Sequence, residues 1–154
     1  MQRVRLSHAI LCAGLCVVFA ASAFAAVDEK TKEKPKDAPM LDDSTAKLTE
    51  FVDGKKKESK IDLKYCLKVK GYFDDAGFHM EEIEDGGPAT HLTGAGTSLE
   101  KGDIITQVDG KPVKSAADYA KAMNGAADHS QVKLRVKDVN SGNEVEVEAE
   151  TAKR

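Results

Sequence analysis

Few side chains in this sequence are of the types that perform covalent or metal chemistry, and their spacing gathers none of them into a working set. His8 lies in an N-terminal apolar segment, and His79, His91 and His129 are scattered without H-x-x-x-H or paired-cysteine spacing. A zinc site is therefore not expected. No serine stands in a G-x-S-x-G or G-[ND]-S-G-G string that would activate it as a nucleophile. Gly94, Ala95 and Gly96 mimic the start of a dinucleotide fingerprint, but no strand-to-helix junction follows, so they read as a loop. The acidic residues Asp74, Asp75, Glu81, Glu82, Glu84 and Asp85 lack the ligand spacing of a calcium loop and read as a solvated rim. The expectation is a protein without metal, cofactor or catalytic residues, hence not an enzyme. His79 is expected on the outward face of a strand.

The N-terminus assigns a compartment. Arg3 and Arg5 lead into an apolar run over residues 9–20, and small residues follow up to Ala25 and Ala26, where Asp28, Glu29 and Lys30 begin a polar stretch. That pattern predicts a bacterial-type secretory signal peptide over residues 1–25, cleaved between Ala25 and Ala26, and an exported protein, periplasmic or secreted. The rival reading is an uncleaved membrane anchor, which the A-x-A ending and the abrupt polar switch disfavour. Cleavage removes two of 23 basic residues and none of 26 acidic ones, leaving 21 against 26, a net charge of −5. Nucleic acid is an improbable partner for such a chain. Cys66 is then the sole remaining thiol, so no internal disulfide can form. It reads first as a small buried apolar residue and second as a candidate for an intermolecular disulfide.

The elements that would position any site follow from composition and periodicity. Residues 26–60 read as a charged flexible linker, since the first part offers almost nothing apolar to bury. Within it, Leu48, Phe51 and Val52 stand at helical spacing behind Asp43 or Ser44 as N-cap, and Gly54 with Lys55, Lys56 and Lys57 would end a short helix. The lysine run suits an anionic membrane surface or an acidic partner, although a solvated face is the simpler reading. Membrane contact would come only through that patch or an uncleaved signal segment.

Residues 61–154 have the length of one compact domain. Ile61-Asp62-Leu63 and Leu67-Lys68-Val69 alternate as half-buried strands do, and Phe78, Met80 and Ile83 supply the next buried face. Pro88 fits the first turn of a short helix. Ile104 to Val108 form a β-rich run closed by the Asp109-Gly110 turn. Ser115 then caps a second helix with Tyr119 and Met123 on one face, ended at Gly125. Val132, Leu134 and Val136 oppose Val145, Val147 and Ala149 as a hairpin whose outer face pairs Lys and Arg with Glu. A bent antiparallel sheet capped by two helices is the economical packing.

The strings GGPATHL, LEKGDIITQVDGKPV and SAADYAKAM resemble a PDZ domain, in the arrangement of bacterial high-temperature-requirement proteases but without a protease domain. The resemblance implies an α+β fold: a PDZ-like bent antiparallel sheet, or partly open barrel, with two α-helices. It implies a groove between a strand and the second helix in which a peptide C-terminus or extended segment adds as a further strand. The strand edge and carboxylate-binding loop should fall on Cys66, Leu67, Lys68 and Val69, and the helix side on Ala116, Ala120 and Met123, with Tyr119 at its edge. Lys68 departs from the glycine usual there, and residues 91–98 are longer than the usual link between helix and strand.

The function so implied is an exported, non-catalytic adaptor or scaffold that captures protein or peptide C-termini, with an envelope protease or secretion component as the partner class. The alternatives are a structural or self-associating envelope protein with a non-binding PDZ fold, and a regulatory subunit of an envelope protease.

Overall fold

Extended strands make up most of the regular structure among the described residues. Strands β1 (Met40–Asp42), β2 (Lys47–Val52), β3 (Lys55–Lys60), β4 (Tyr65–Cys66), β5 (Val69–Asp74), β6 (Gly77–Ile83), β7 (Leu92–Gly94), β8 (Ile104–Val108), β9 (Lys111–Pro112), β10 (Gln131–Lys137), β11 (Glu144–Glu150) and β12 (Ala152–Lys153) are joined by one α-helix, α1 (Ala116–Asn124). The structure is a computed structural model that describes residues 34–94, 98–126 and 130–154. All of these lie within one compact unit, Lys34–Arg154. The signal segment with its Ala25–Ala26 junction, the first part of the linker, Ala95, Gly96 and His129 lie outside the described residues.

The strands make a ten-stranded antiparallel sheet in the order β3-β2-β1-β5-β6-β8-β10-β11-β7, with β9 on β8, while β4 and β12 pair separately. The β10–β11 hairpin has the expected register: Val132 faces Ala149, Leu134 faces Val147 and Val136 faces Val145. Lys133 and Arg135 stand opposite Glu148 and Glu146 on the outer face. Between β8 and β9, Asp109 and Gly110 both adopt positive φ, +48° and +72°, as a two-residue hairpin turn requires. Asp103, buried, accepts from the Glu100 N–H at 2.9 Å and the Val139 N–H at 3.0 Å, so the Gly-Asp step ties the start of β8 to the β10–β11 turn. Helix α1 is capped by Ser115, whose hydroxyl accepts the Asp118 N–H, and it lays Ala116, Tyr119, Ala120 and Met123 into the core.

Three expectations are corrected. The first of the two helices is a single 3-10 turn, Pro88–Thr90. It stops there because the Ala89 N–H donates out of the turn to the Leu67 carbonyl and the chain passes at once into β7. Ile61-Asp62-Leu63 is an irregular link rather than a strand. The stretch read as a charged linker with a short helix is part of the folded unit from Lys34 onward and is extended, forming β1, β2 and β3. Asp43 caps no helix, because its carboxylate is taken by distant backbone amides. Asp53 and Gly54, at φ +53° and +70°, fold β2 onto β3 as an Asp-Gly hairpin. The lysine run is therefore the outermost strand of the sheet, where Glu58 binds Lys47 and Lys56 at 2.7 Å each.

Candidate functional site

The loop between β4 and β5 turns the backbone N–H groups of Leu67 and Val69 to the same side. Lys68 between them has φ +61°, the left-handed conformation that a glycine would adopt without strain. Its side chain lies away from the loop amides, with Nζ 2.9 Å from Glu84 Oε1. Thus the departure from glycine leaves the loop shape intact, and the Lys68 ammonium binds Glu84.

The two amides converge on a carboxylate supplied by the chain itself. Leu67 N–H donates to Asp43 Oδ2 at 2.8 Å and Val69 N–H to Asp43 Oδ1 at 2.7 Å. From α1, the Tyr119 hydroxyl donates to Asp43 Oδ2 at 2.8 Å. Asp43 is 0% exposed. Burial pushes its carboxyl up to about 6, against the opposing pull of the Leu67 amide, the Tyr119 hydroxyl and the Val69 amide. Burial and the neighbouring Asp43 charge push the Tyr119 phenol well above its ordinary range, so it remains a donor.

The backbone on either side of Asp43 completes the arrangement. β1 pairs antiparallel with β5, Met40 to Tyr72, Leu41 to Gly71 and Asp42 to Lys70. The Phe73 N–H donates to the Pro39 carbonyl at 2.9 Å and the Asp43 N–H to the Val69 carbonyl at 3.1 Å, extending the ladder at both ends. Upstream, Pro35, Ala38 and Pro39 share a surface cleft with Ser115, Ala116 and Ala117 at the start of α1. Leu41, 1% exposed, joins the buried cluster that contains Leu67, Val69, Ala116, Ala120 and Met123. Gly71 is required where it stands, because a Cβ there would lie 1.9 Å from the His79 carbonyl oxygen on β6.

The expected site residues are thus found on two strands, β4 and β5, the loop between them and the helix α1, and all but Lys68 are buried. What sequence reasoning missed is that residues 39–43 lie along the β5 edge, with the Asp43 carboxylate on the loop amides. Two further placements refine expectations rather than overturn them. His79 alternates with the buried Phe78 and Met80 and so takes the outward face of β6 as expected, but it is half-buried there, stacked on Tyr72 at 4.6 Å with Nε2 2.7 Å from Asp74 Oδ1. Cys66 is buried, in line with its first reading, and desolvation with the nearby Asp43 charge pushes its thiol up, so the second reading, an intermolecular disulfide, would require the loop to open. Among the described residues, no group of three or more His, Cys, Asp or Glu is placed to hold a metal ion. No described helix is long and apolar enough to cross a membrane.

No curated protein matches the chain. A family match covers residues 79–138, from β6 through α1 to the end of β10. It takes in the helix side of the site and the Gly-Asp and Asp-Gly turns, while the carboxylate loop and β5 immediately precede it. Over residues 79–138, therefore, the chain carries a PDZ domain.

Proposed function

We propose that this protein is an exported, non-catalytic protein-binding module that captures C-terminal or extended peptide segments by strand addition to β5. The observation that carries the reading is the seating of a strand and a carboxylate at that edge: the Leu67 and Val69 amides hold a carboxylate while β5 bonds an antiparallel strand. Main-chain bonds supply affinity irrespective of sequence, and the small side chains Ala116 and Ala120 with the adaptable Met123 suit an apolar ligand side chain. An envelope protease or secretion component fits the partner class, and export rests on residues 1–25 alone.

Titration of the full chain with peptides bearing a free apolar C-terminus, followed by NMR, tests this. Shift changes at Leu67, Val69 and Ala120 that disappear when the peptide is amidated are the expected result, and no binding with either peptide rejects it. A second reading, a structural protein with a non-binding PDZ fold, is favoured by the burial of Leu41 and Asp43 in the same edge.

A further inference from the structure

The structure assigns residues 39–43 the role of a built-in occupant of the peptide groove, with the Asp43 side chain standing where a ligand's terminal carboxylate would stand. This rests on the peptide-binding reading above and adds its regulation: a segment from another protein binds by displacing this strand.

The geometry explains how an internal segment can fill a site shaped for a chain end. A terminal carboxylate is supplied by the last residue of a peptide, after which there is no more chain to accommodate. Here the chain continues, so the carboxylate comes from a side chain and the backbone turns back at once. The Ala46 N–H donates to the Asp43 carbonyl at 3.3 Å, Ala46 takes φ +51°, and β2 then returns along the outer edge of β1. The turn is held from outside the groove by Arg154, whose guanidinium donates to the Ser44 and Thr45 carbonyls at 3.1 and 2.8 Å.

The strand can leave without opening the rest of the core. Across residues 34–60 the buried apolar side chains are Ala38, Leu41, Ala46 and Leu48, two of which are full-sized. No β3 side chain is buried, and Val52 at the β2 end is 52% exposed. Local opening is drawn from regions with few apolar contacts, and this is such a region. Its firmest hold is polar: the three donors on Asp43, each of which an incoming carboxylate would satisfy equally well. Exchange of one carboxylate and one strand for another leaves no buried amide unpaired. An occupied groove lowers the apparent affinity for outside ligands by the fraction of molecules that are open.

The test compares full-chain wild type, Asp43→Asn and Arg154→Ala. Asp43→Asn keeps the size of the side chain but turns an NH2 group toward one loop amide, and Arg154→Ala loosens the turn without touching the groove. The probe is a labelled hexapeptide with a free apolar C-terminus, read by fluorescence anisotropy, alongside hydrogen exchange at the Leu67 and Val69 amides. Asp43→Asn should bind about tenfold tighter or more, a factor of ten corresponding to about 1.4 kcal/mol of lost closure, with faster exchange at both amides. Arg154→Ala should shift both readings in the same direction by less. Equal affinity in all three proteins overturns the built-in occupant while leaving peptide binding standing. No binding by any of them, with both amides freed in the variants, overturns the binding reading and leaves residues 39–43 a purely structural strand. Should Asp43→Asn not fold, Arg154→Ala alone decides between these outcomes.

Discussion

Strands β1–β3 and the β10–β11 hairpin are both antiparallel parts of one sheet, but they are held in place by different physics. In β10–β11, Val132, Leu134, Val136, Val147 and Ala149 are all buried, and the partners are neighbours in sequence. The hairpin is fixed by apolar burial and by a short turn. In β1–β3 the deepest group is the charged side chain of Asp43, whose donors lie 24, 26 and 76 residues away. A carboxylate sunk in the protein is tolerable only while its hydrogen bonds hold, so this part of the sheet depends on one polar cluster. The outer strands of this sheet are thus joined to its core through a polar cluster, whereas the inner strands are held by apolar packing.

The sharpest way to break this contrast is to remove equal volumes from the two regions. Leu134→Ala, in the middle of β10, is expected to lower stability by about 3 to 4 kcal/mol, and Leu48→Ala by less than half of that, because β2 is covered on one side only by the exposed β3. Denaturant unfolding of the two variants checks the ratio, and equal losses would show that both regions are locked by packing.

Titration addresses the polar cluster. The Asp43 carboxyl, pushed up to about 6 by burial, binds its proton more tightly folded than unfolded. Its contribution is therefore fully present below about pH 4 and is lost as the pH rises through about 6. The stability of wild type minus that of Asp43→Asn should fall by roughly 3 kcal/mol across that window. Taking the difference removes the opposite slopes of Asp42 and Asp74, whose carboxyls are held below their ordinary range. Urea melts of both proteins at pH 4, 5, 6 and 7 give the curve, and a flat difference would mean that Asp43 is not desolvated in solution.

Smaller changes refine the same picture. Tyr119→Phe leaves the edge-on and tilted ring contacts with Phe73 and Phe78 in place and removes one of the three donors, so a loss of about 1 to 2 kcal/mol is expected, together with faster exchange of the Leu67 amide. Lys68→Gly relieves the left-handed backbone but gives up an exposed ion pair with Glu84 and frees the unfolded chain. The net expectation is a gain of about 0.5 kcal/mol, and a loss above about 1 kcal/mol would show that the Lys68 side chain itself holds the loop.

Much of the fold is legible in the sequence because its causes are local. Ser115 caps α1 three residues from the amide it accepts, and Asp109-Gly110 makes its own turn. The alternation of Val132, Leu134 and Val136 needs only a neighbouring strand. The loop at Cys66, Leu67, Lys68 and Val69 is legible too, through the resemblance that the strings downstream of it carry. Residues 40–60 mislead because their signals conflict: the spacing of Leu48, Phe51 and Val52 is compatible with a helix, while Asp53-Gly54 is a hairpin turn as strong as Asp109-Gly110. Giving that dipeptide the same weight at both positions finds β2 and β3.

Residue pattern alone is enough to indicate the PDZ domain that spans residues 79–138. Turn chemistry, capping and two-residue alternation act over a few positions and can be read from them. What lies along the β5 edge is fixed only once the strands have packed. An aspartate beside a serine and a threonine is an ordinary helix cap until two amides 24 and 26 residues further on, and a phenol 76 residues further on, are brought to its carboxylate. No local pattern encodes that meeting, because it depends on the burial that all the other strands create together.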